Sequence, residues 1–542
     1  MESELGKEIL TRHGKMKGDR ANWDSHWQEI TDYVLPRKNV VFSSRENTNG
    51  EKRHLRVYDS TAIHANEILA SALQGMLTNP ATQWFDLTTG VPEIDSKARV
   101  RSWLQKAARR IVQVLNNSNF QTEIHEVYTD IGSIGTAALR MEEDDKTFVR
   151  FQARPIYEHY IKENHKGMID CVSRETKMDG RQIKQRWGFD KIREGLEVSE
   201  KHKVDKLEQD LIKEWNMIHY VSPRVDVDDK HLPKKGKKFE FVSIYVIEEL
   251  ALVADVSGFE EFPYAVPRWT KTSEEVYGRS PSFKSLSDIK MINEMMKTTL
   301  RAAQKIVDPP LQVPDDGVLL PIKATPGGVN YYRAGTADRI VPLETGGRID
   351  ISQQIMEDVR KRIREAYFID QLQLVEGPQM TATEVLQRTE EKLRMLGPVL
   401  GRLHFELLSP LINRVFSILS RKGELPADPP EELKEIDLEV QFSSMIARAQ
   451  RATEADNIQR VLGLMVPIVD RDPTVMDNLD GDGLFKFLGN MFNTPQEMFR
   501  KEEEVEKTRE ARAEEQQKQQ EVEQQNMQSQ SAKNMGIQAP QV

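Results

Sequence analysis

The sequence predicts an α+β fold that is predominantly helical. Long stretches on both sides of a middle region repeat apolar residues every three or four positions, which is the spacing of an amphipathic helix. In the middle region, from Ala137 to about Arg268, apolar residues tend instead to alternate with polar ones, as in strands. At 542 residues the chain is long enough for several domains and a large buried core.

The first part of the chain is predicted to be mostly helical. Residues 22–35 place Trp23 and Trp27 on one apolar face, and Pro36 ends this run. Asp59 and Ser60 can cap a second helix. The expected helices begin near residues 22, 60, 95 and 121.

The middle region is predicted to be a small unit of strands with short helices. Polar turns such as 164–167 separate its segments. Strands are expected at 147–154, 158–161, 168–173 and within 239–256, and short helices at 181–187 and 204–211.

Residues 283–307 form an unusual predicted helix, because it is apolar over about half of its surface. A helix of this kind must contact protein on two sides. Opposite the apolar half lies a narrow, mostly basic stripe. One apolar arc holds Ile289, Ile292, Met296, Leu300, Ala303 and Val307, the adjoining arc holds Met291, Met295, Ala302 and Ile306, and the stripe holds Lys290, Glu294, Lys297, Arg301 and Lys305.

A segment rich in proline and glycine, residues 308–347, interrupts the helical pattern and predicts a separate small unit. The chain then returns as a helix from about Asp350 to Phe368. Its expected packing face carries Ile351, Ile355, Val359, Ile363 and Ala366. The sequence thus predicts two helices joined by a compact tip.

The last third of the chain is again mainly helical. A loop at 371–380 precedes a helix from Thr381 to about Arg421, which Pro398 and Pro410 should kink. Leucines at 386, 393, 400 and 407 predict one buried seam along it. Further helices are expected at 444–464 and 483–492, and the Glu/Gln-rich residues 501–542 should extend as a helix that frays into disorder.

Composition limits the classes of function. Lysine and arginine total 76 against 86 aspartate and glutamate residues, a net charge of −10, which argues against a protein that coats nucleic acid. This net charge is compatible with contact to DNA along a narrow stripe. The single cysteine, Cys171, is typical of a protein in a reducing cytoplasm. The N-terminus lacks the apolar stretch of a signal peptide. The sequence has no run of about 18 apolar residues, so no membrane-spanning helix is expected.

No motif for catalysis or for a cofactor stands out. Phosphate-binding, dinucleotide-binding and nucleophile-elbow motifs are absent, and His125-Glu126 lacks the second histidine of a zinc protease. Aspartates between 470 and 482 lack calcium-loop spacing, so a polar loop is the better interpretation. We therefore expect no enzyme activity, no cofactor and no metal.

The basic stripe has two interpretations. Lysines and arginines on a helix usually form a solvated face, and Glu294 is placed to pair with Lys297. However, a helix with two apolar flanks and one thin polar edge is expected where identical copies pack side by side around a hole. Heterologous contacts of this kind close into rings.

Several stretches, taken in order, resemble the head-to-tail connector, or portal, proteins of short-tailed bacteriophages, and the resemblance spans nearly the whole chain. They are Asp59-Ser60-Thr61 through Leu77 with Trp84-Phe85, Pro263 through Trp269, Tyr277-Gly278-Arg279-Ser280-Pro281, Thr381 through Val385, Leu396-Gly397-Pro398, and the Gln-rich tail after Glu502.

The resemblance implies a ring, typically of twelve subunits, at one capsid vertex of the virion, assembled in the cytoplasm of the host bacterium. Double-stranded DNA would be packaged and ejected through its channel. The implied partners are terminase, a tail adaptor, and capsid and scaffolding proteins, without a membrane. The implied regions are a wing (1–281), two stem helices (282–307 and 348–370), a clip (308–347), a tunnel loop (371–380), a long kinked wing helix (381–425), a crown (426–500) and a tail (501–542).

In such a ring the mechanism would be physical. Lys290, Lys297, Arg301 and Lys305 would attract phosphates weakly and allow DNA to slide. The tunnel loop would offer Gln371, Gln373, Glu376 and Gln379 to the DNA. Two alternatives remain open from the sequence: a non-viral, self-associating helical scaffold, and a metal-dependent DNA-processing enzyme.

Overall fold

The computed structural model is predominantly helical with antiparallel sheets, as the sequence predicts. The structure describes residues 2–41, 56–95, 97–194, 196, 201–228, 239–313, 321–322, 329–331, 340–342, 349–372, 396–433, 439–442, 458, 460–465, 480–491 and 502–534. Within these ranges the chain divides into two compact units, one of residues 1–86, 107–425 and 440–446, and one of residues 87–106, 426–439 and 447–542.

Among the described residues, most helices lie close to the predicted ones, whereas the predicted helical stretches 381–395 and 444–457 lie outside the described residues. The first is longer than expected, because its N-terminal half has few apolar residues and its sequence pattern is weak. The principal helices are α1 (Glu2–Tyr33), α2 (Thr61–Leu77), α3 (Pro92–Asp95), α4 (Ala98–Asn117), α5 (Phe120–Ser133), α6 (Gly180–Trp187), α7 (Phe189–Glu194), α8 (Lys201–Gln209), α9 (Pro281–Val307), α10 (Ile349–Ala366), α11 (Ile369–Leu372), α12 (396–421), α13 (Gly481–Met491) and α14 (Glu502–Asn534).

The strands form a larger sheet than the sequence predicts. In the main sheet the strand 214–223 is missing from the prediction because it is buried on both faces and shows no alternation. In the second sheet the strand 138–144 is missing as well, and its first four residues are all buried. The strands are β1 (Phe85–Thr88), β2 (Ala138–Asp144), β3 (Phe148–Arg154), β4 (His159–Glu163), β5 (Ile169–Asp179), β6 (Glu214–Pro223), β7 (Phe241–Ile247), β8 (Leu252–Phe259), β9 (Tyr264–Ala265), β10 (Leu311–Gln312), β11 (Val341–Pro342) and β12 (Glu439–Phe442).

The main sheet is an antiparallel meander in the order β4-β5-β6-β7-β8, and helices cover both of its faces. On one face Leu5 and Ile9 of α1 pack with Ile218 and Ile244 of the sheet. Residues of α6, α7 and α8 pack on the other face, against Met217 and its neighbours. A second sheet, β3-β2-β9, lies beside α5.

The helix α12 contains a π-helical turn, His404–Leu408, directly before Pro410, where the sequence predicts a kink. Proline has no backbone N–H, so a regular α-helical bond to the preceding turn cannot form there. Of the predicted leucine seam, Leu407 is buried and Leu400 is half-buried, while residues 386 and 393 lie outside the described residues.

The second unit is held by polar contacts within its described segments. Trp103 Nε1 donates to the carbonyl of Pro426 at 3.1 Å, and Lys97 lies 3.0 Å from the carboxylate of Glu432. The helix predicted in the tail is confirmed for α14, whereas residues 535–542 lie outside the described residues, so the predicted fraying stays a prediction. In the parts that the structure describes, none of the helices has the length and apolarity needed to cross a bilayer.

Candidate functional site

The candidate site is the helical hairpin of α9 and α10, which pack against each other in antiparallel orientation. Near the far end of the pair, Thr299 Oγ1 lies 2.9 Å from Ser352 Oγ. Near its base, the ion pair of Asp288 and Arg362 spans 3.6 Å. The two helices predicted at 283–307 and 350–368 therefore form one unit, as the sequence indicates.

The start of α9 is fixed by a helix cap and by a close approach of two backbones. Ser280 Oγ accepts the N–H of Phe283, and Pro281 occupies the first turn, where its missing N–H costs nothing. Just before the cap, a Cβ on Gly278 would lie only 2.5 Å from the carbonyl oxygen of Gly135. The segment Tyr277–Pro281 thus needs glycine, serine and proline where it has them.

A buried polar clamp ties the hairpin to α2. Asn293 Oδ1 accepts the backbone N–H groups of Tyr58 and Asp59, at 2.8 and 3.1 Å. The carboxylate of Asp59 accepts from Arg360 of α10 at 2.8 and 3.0 Å, and from the N–H of Thr61 at 2.9 Å. Burial raises the pKa of Asp59, but the bonds from Thr61 and Arg360 outweigh burial and hold it below its usual value.

The clamp was not predictable as a contact. The sequence indicates only that Asp59 or Ser60 caps α2, and the structure assigns the cap bond to Asp59, because Ser60 makes no side-chain cap bond. No local pattern signals that Arg360, some 300 positions later, binds the same carboxylate.

The predicted basic stripe divides into two halves. Toward the base, Lys290 lies 2.5 Å from Glu29 of α1, and Lys297 lies 2.9 Å from Glu294, which is the pair that the spacing predicts. Toward the tip, Arg301 and Lys305 are exposed, and neither has an ion pair with a residue that the structure describes. Among the described residues, the stripe's positive charge without an ion-pair partner thus lies in its tip half.

Apolar residues of the hairpin divide in the same way. On α9, burial in this chain extends only to Ile292 and Asn293. Beyond them Leu300 is 48% exposed and Val307 is 85% exposed. Apolar side chains that the helical pattern assigns to contacts thus have no cover within the described chain.

The packing face of α10 differs at one position from the prediction. Val359 and Ile363 are fully buried as predicted, but Ile355 is 46% exposed. Met356, one position later, takes the buried place instead. On a wheel of 100° per residue Ile355 and Met356 lie on opposite sides of Val359, so the buried face is turned toward Met356 relative to the predicted one. Ile351 has no described side chain, and Ala366 is half-buried.

The tip and the loop that follows the hairpin are only partly within the described residues. Leu311 and Gln312 pair with Pro342 and Val341 in a short antiparallel ladder, which joins the two ends of the predicted 308–347 unit. Gln371 lies in the short helix α11, so the loop predicted from 371 begins later than expected. Gln373, Glu376 and Gln379 lie outside the described residues.

No group of acidic, histidine or cysteine side chains that could hold a metal lies among the described residues. Two aspartates of the 470–482 cluster have structural roles there. Asp480 Oδ1 accepts the N–H of Gly483 at 2.9 Å, and Asp482 pairs with Arg509 at 2.6 Å. The other aspartates of this cluster, at 470, 472 and 477, lie outside the described residues, so the predicted polar loop there stays a prediction.

Two of the stretches that carry the resemblance to phage connector proteins, 59–77 and 277–281, lie at the base of the hairpin, and comparisons with known proteins agree. The chain is 32% identical over 514 residues to a probable portal protein of Bordetella phage BPP-1, covering 94% of this chain and 91% of that protein. It is 30% identical over 535 residues to a portal protein of Salmonella phage epsilon15, covering 97% and 94%. The sequence profile described as "Bacteriophage head to tail connecting protein" matches residues 6–499, and the chain belongs to that family.

Proposed function

We propose that this chain is the subunit of a portal, a ring at one capsid vertex through which double-stranded DNA is packaged and later ejected. One observation carries the proposal: similarity to two phage portal proteins extends over more than nine-tenths of this chain. Similarity over such a length includes the hairpin and both of its flanks.

The hairpin supports assembly into a ring of like subunits, for which the resemblance suggests twelve. Exposed Leu300, Ile306 and Val307 lie on the helix that the sequence predicts to contact protein on two sides. Buried apolar surface is the main driving force for association, so neighbouring hairpins are the natural cover. Repeated around an axis, such contacts are heterologous and close a ring.

The regional assignments are part of the same proposal. Residues 1–281 and 381–425 form the wing, α9 and α10 the stem, 308–347 the clip, 371–380 the tunnel loop, 426–500 the crown and 501–542 the tail. The clip meets terminase during packaging and the tail adaptor afterwards, while the outer regions meet capsid and scaffolding proteins. Assembly takes place in the host bacterial cytoplasm, and the subunit itself performs no catalysis.

DNA contact is assigned to the basic stripe and to the tunnel loop. Arg301 and Lys305, exposed near the tip, are best placed to attract phosphates, while Lys290 and Lys297 are partly neutralised by Glu29 and Glu294. Because only the tip half of the stripe carries charge without an ion-pair partner among the described residues, the attraction stays weak and screened, which permits sliding. In the tunnel loop Gln371, Gln373, Glu376 and Gln379 would touch DNA without holding it.

Single-particle electron microscopy of the purified protein alone tests the proposal. We expect closed rings with an axial hole of roughly 20 Å or more, the width that a DNA duplex needs. Monomers or open filaments at high concentration would overturn the portal assignment and favour the scaffold alternative. Magnesium-dependent cleavage of DNA by the pure protein would instead favour an enzyme.

The stripe has its own test. The double variant Lys297→Glu with Arg301→Glu should assemble into normal rings but package or retain DNA poorly, because it reverses two charges along the channel. A matched control, Arg181→Glu with Lys184→Glu, reverses two exposed charges on α6, away from the hairpin, and should package normally. Full heads from the stripe variant would contradict the stripe assignment and leave the ring proposal intact.

A further inference from the structure

A cleft of about 620 Å³ opens between the β4–β5 turn and the π-helical turn of α12. Lys166, Gly167 and Met168 line one side, and Pro398, Arg402, Phe405 and Glu406 line the other. Phe405 is 62% exposed and Met168 is 41% exposed, so two large apolar side chains face solvent at its mouth. An aromatic side chain left this exposed commonly marks a contact surface.

The charges around this cleft leave its rim positive. The carboxylate of Glu406 is already bound by the buried guanidinium of Arg268 at 2.6 Å and by Arg402 at 2.9 Å. Lys166 is exposed and has no ion pair with any residue in the described part of the chain. A segment that combined apolar and acidic side chains would therefore complement the cleft.

The same chain exposes such a segment at 210–214, between α8 and β6. Ile212 is 88% exposed and Leu211 is 39% exposed. Asp210 Oδ1 accepts the N–H groups of Ile212 and Lys213, at 3.2 and 3.0 Å, which holds the loop in one shape. Glu214 is exposed as well.

The positive charge inside this loop is compensated. Lys213 lies 2.9 Å from Glu249, so the free charges of the loop are acidic. Among the described residues, the carboxylate of Glu214 has an ion-pair partner only in Lys177, at 3.8 Å and with both side chains more than 60% exposed. A pair of this kind is weak and leaves Glu214 available to another partner.

The cleft and the loop lie at opposite ends of strand β5. The cleft borders its start at Ile169, whereas Glu214 pairs with Asp179 at its end. Eleven residues of antiparallel strand span about 35 Å, so the loop cannot reach the cleft of its own chain. Complementary patches on opposite ends of one subunit are what a head-to-tail contact between copies requires.

We propose that Leu211 and Ile212 of one subunit insert into the cleft beside Phe405 of the next subunit, with Glu214 facing Lys166. The occupant is thus a second copy of this chain, and the contact rests on the proposed ring. It defines one interface of that ring, in the wing and separate from the stem helices. Every subunit both donates the loop and receives one, which closes the ring without unused patches.

A charge swap tests the contact. Lys166→Glu and Glu214→Lys should each raise the concentration of half-assembly on the order of tenfold, measured by analytical ultracentrifugation. The double variant with both changes should assemble close to the unaltered protein, because the charges again attract. Single variants that assemble normally, or a double variant that assembles no better than the singles, would overturn the contact.

Cross-linking provides a second test with an independent readout. The variant Ile212→Cys with Phe405→Cys should give a ladder of covalent oligomers with a short bismaleimide, since the native Cys171 is buried and unreactive. Val225→Cys with Phe405→Cys is the matched control, because Val225 is 92% exposed and lies outside the cleft and the loop. It should give no ladder.

The outcomes separate this contact from the proposed function. Rings in the microscope without a ladder would overturn the contact and leave the portal proposal standing. An unaltered protein that never forms rings would overturn both.

Discussion

The body around the main sheet and the α9–α10 hairpin differ in how their apolar side chains are buried. In the body, α1 covers one face of the sheet and α6–α8 cover the other, so its apolar residues are buried by their own chain. Along the hairpin, burial by the chain itself ends near Asn293 and the tip half exposes leucine, isoleucine and valine. The difference indicates that the body covers its main sheet with its own chain, whereas the tip half of the hairpin leaves apolar surface for the contacts proposed above.

The charges follow the same division. The body buries Arg268 between Glu163 and Glu406, and Lys271 adds a further bond to Glu163. The hairpin keeps Arg301 and Lys305 in solvent. Variants that remove one side chain at a time can therefore distinguish residues that maintain the fold from residues that act in assembly.

The largest loss of stability is expected from Arg268→Ala. Only 2% of the Arg268 side chain is exposed, and its removal leaves two partly buried carboxylates with less positive charge nearby. Breaking a buried ion pair in this way costs about 3–5 kcal/mol. Urea unfolding at a fixed protein concentration measures the change.

The matched control for this variant is Arg279→Ala, which removes an arginine that pairs with Glu275 on the surface, at 2.5 Å. An exposed pair contributes about 0–1 kcal/mol, so the control should unfold nearly as the unaltered protein does. Equal losses of stability in the two variants would show that burial does not set the contribution of Arg268 to the free energy of unfolding.

A smaller pair of effects should separate the two halves of α9. Ile292→Ala removes a buried side chain and should lower the free energy of unfolding by about 2–4 kcal/mol. Leu300→Ala, at a half-exposed position, should change subunit stability by about 0.5 kcal/mol or less but weaken ring assembly. Sedimentation of both variants, measured beside their urea unfolding curves, checks the contrast. A Leu300 variant that assembles normally would place the interface between subunits away from Leu300.

Sequence reasoning located the hairpin well because its signals are local. The apolar spacing of α9, the helix breakers after Val307 and the return at Ile349 each act within a few turns of helix. It failed where the pattern disappears for physical reasons. Strand β6 is buried on both faces and has no period of two. The buried face of the first half of α1 holds only three large apolar residues, Leu5, Ile9 and Met16, beside the polar His13 and Arg20, so its apolar pattern is weak.

Contacts between residues that are far apart in the chain could not be predicted from the sequence. The bond of Asp59 to Arg360, and those of Arg268 to Glu163 and Glu406, join positions that are more than a hundred residues apart. Charged residues are common in the chain, so no spacing rule selects these pairs from the others. The cleft beside Phe405 likewise needs a turn and a helix from separate parts of the chain.

A further expected effect is a pH dependence of stability that arises in the body. His159 is fully buried, and burial, followed by the positive charge of Arg174, lowers its pKa to about 3. In the unfolded chain the pKa of histidine is about 6.5, so between these values the unfolded state binds the extra proton. Stability should therefore fall as the pH drops below 6.5, by about 2 kcal/mol at pH 5.

Urea unfolding of the unaltered protein and of His159→Gln at pH 7 and pH 5 isolates this effect. The variant should lose less stability between the two pH values, by about the same 2 kcal/mol, because glutamine does not titrate. His165→Gln, at an exposed turn, is the control and should keep the full dependence. If the loss of stability between pH 7 and pH 5 is the same in the His159 variant as in the unaltered protein, this buried histidine does not couple folding to pH. The pH dependence would then be assigned to His219, whose pKa burial also lowers.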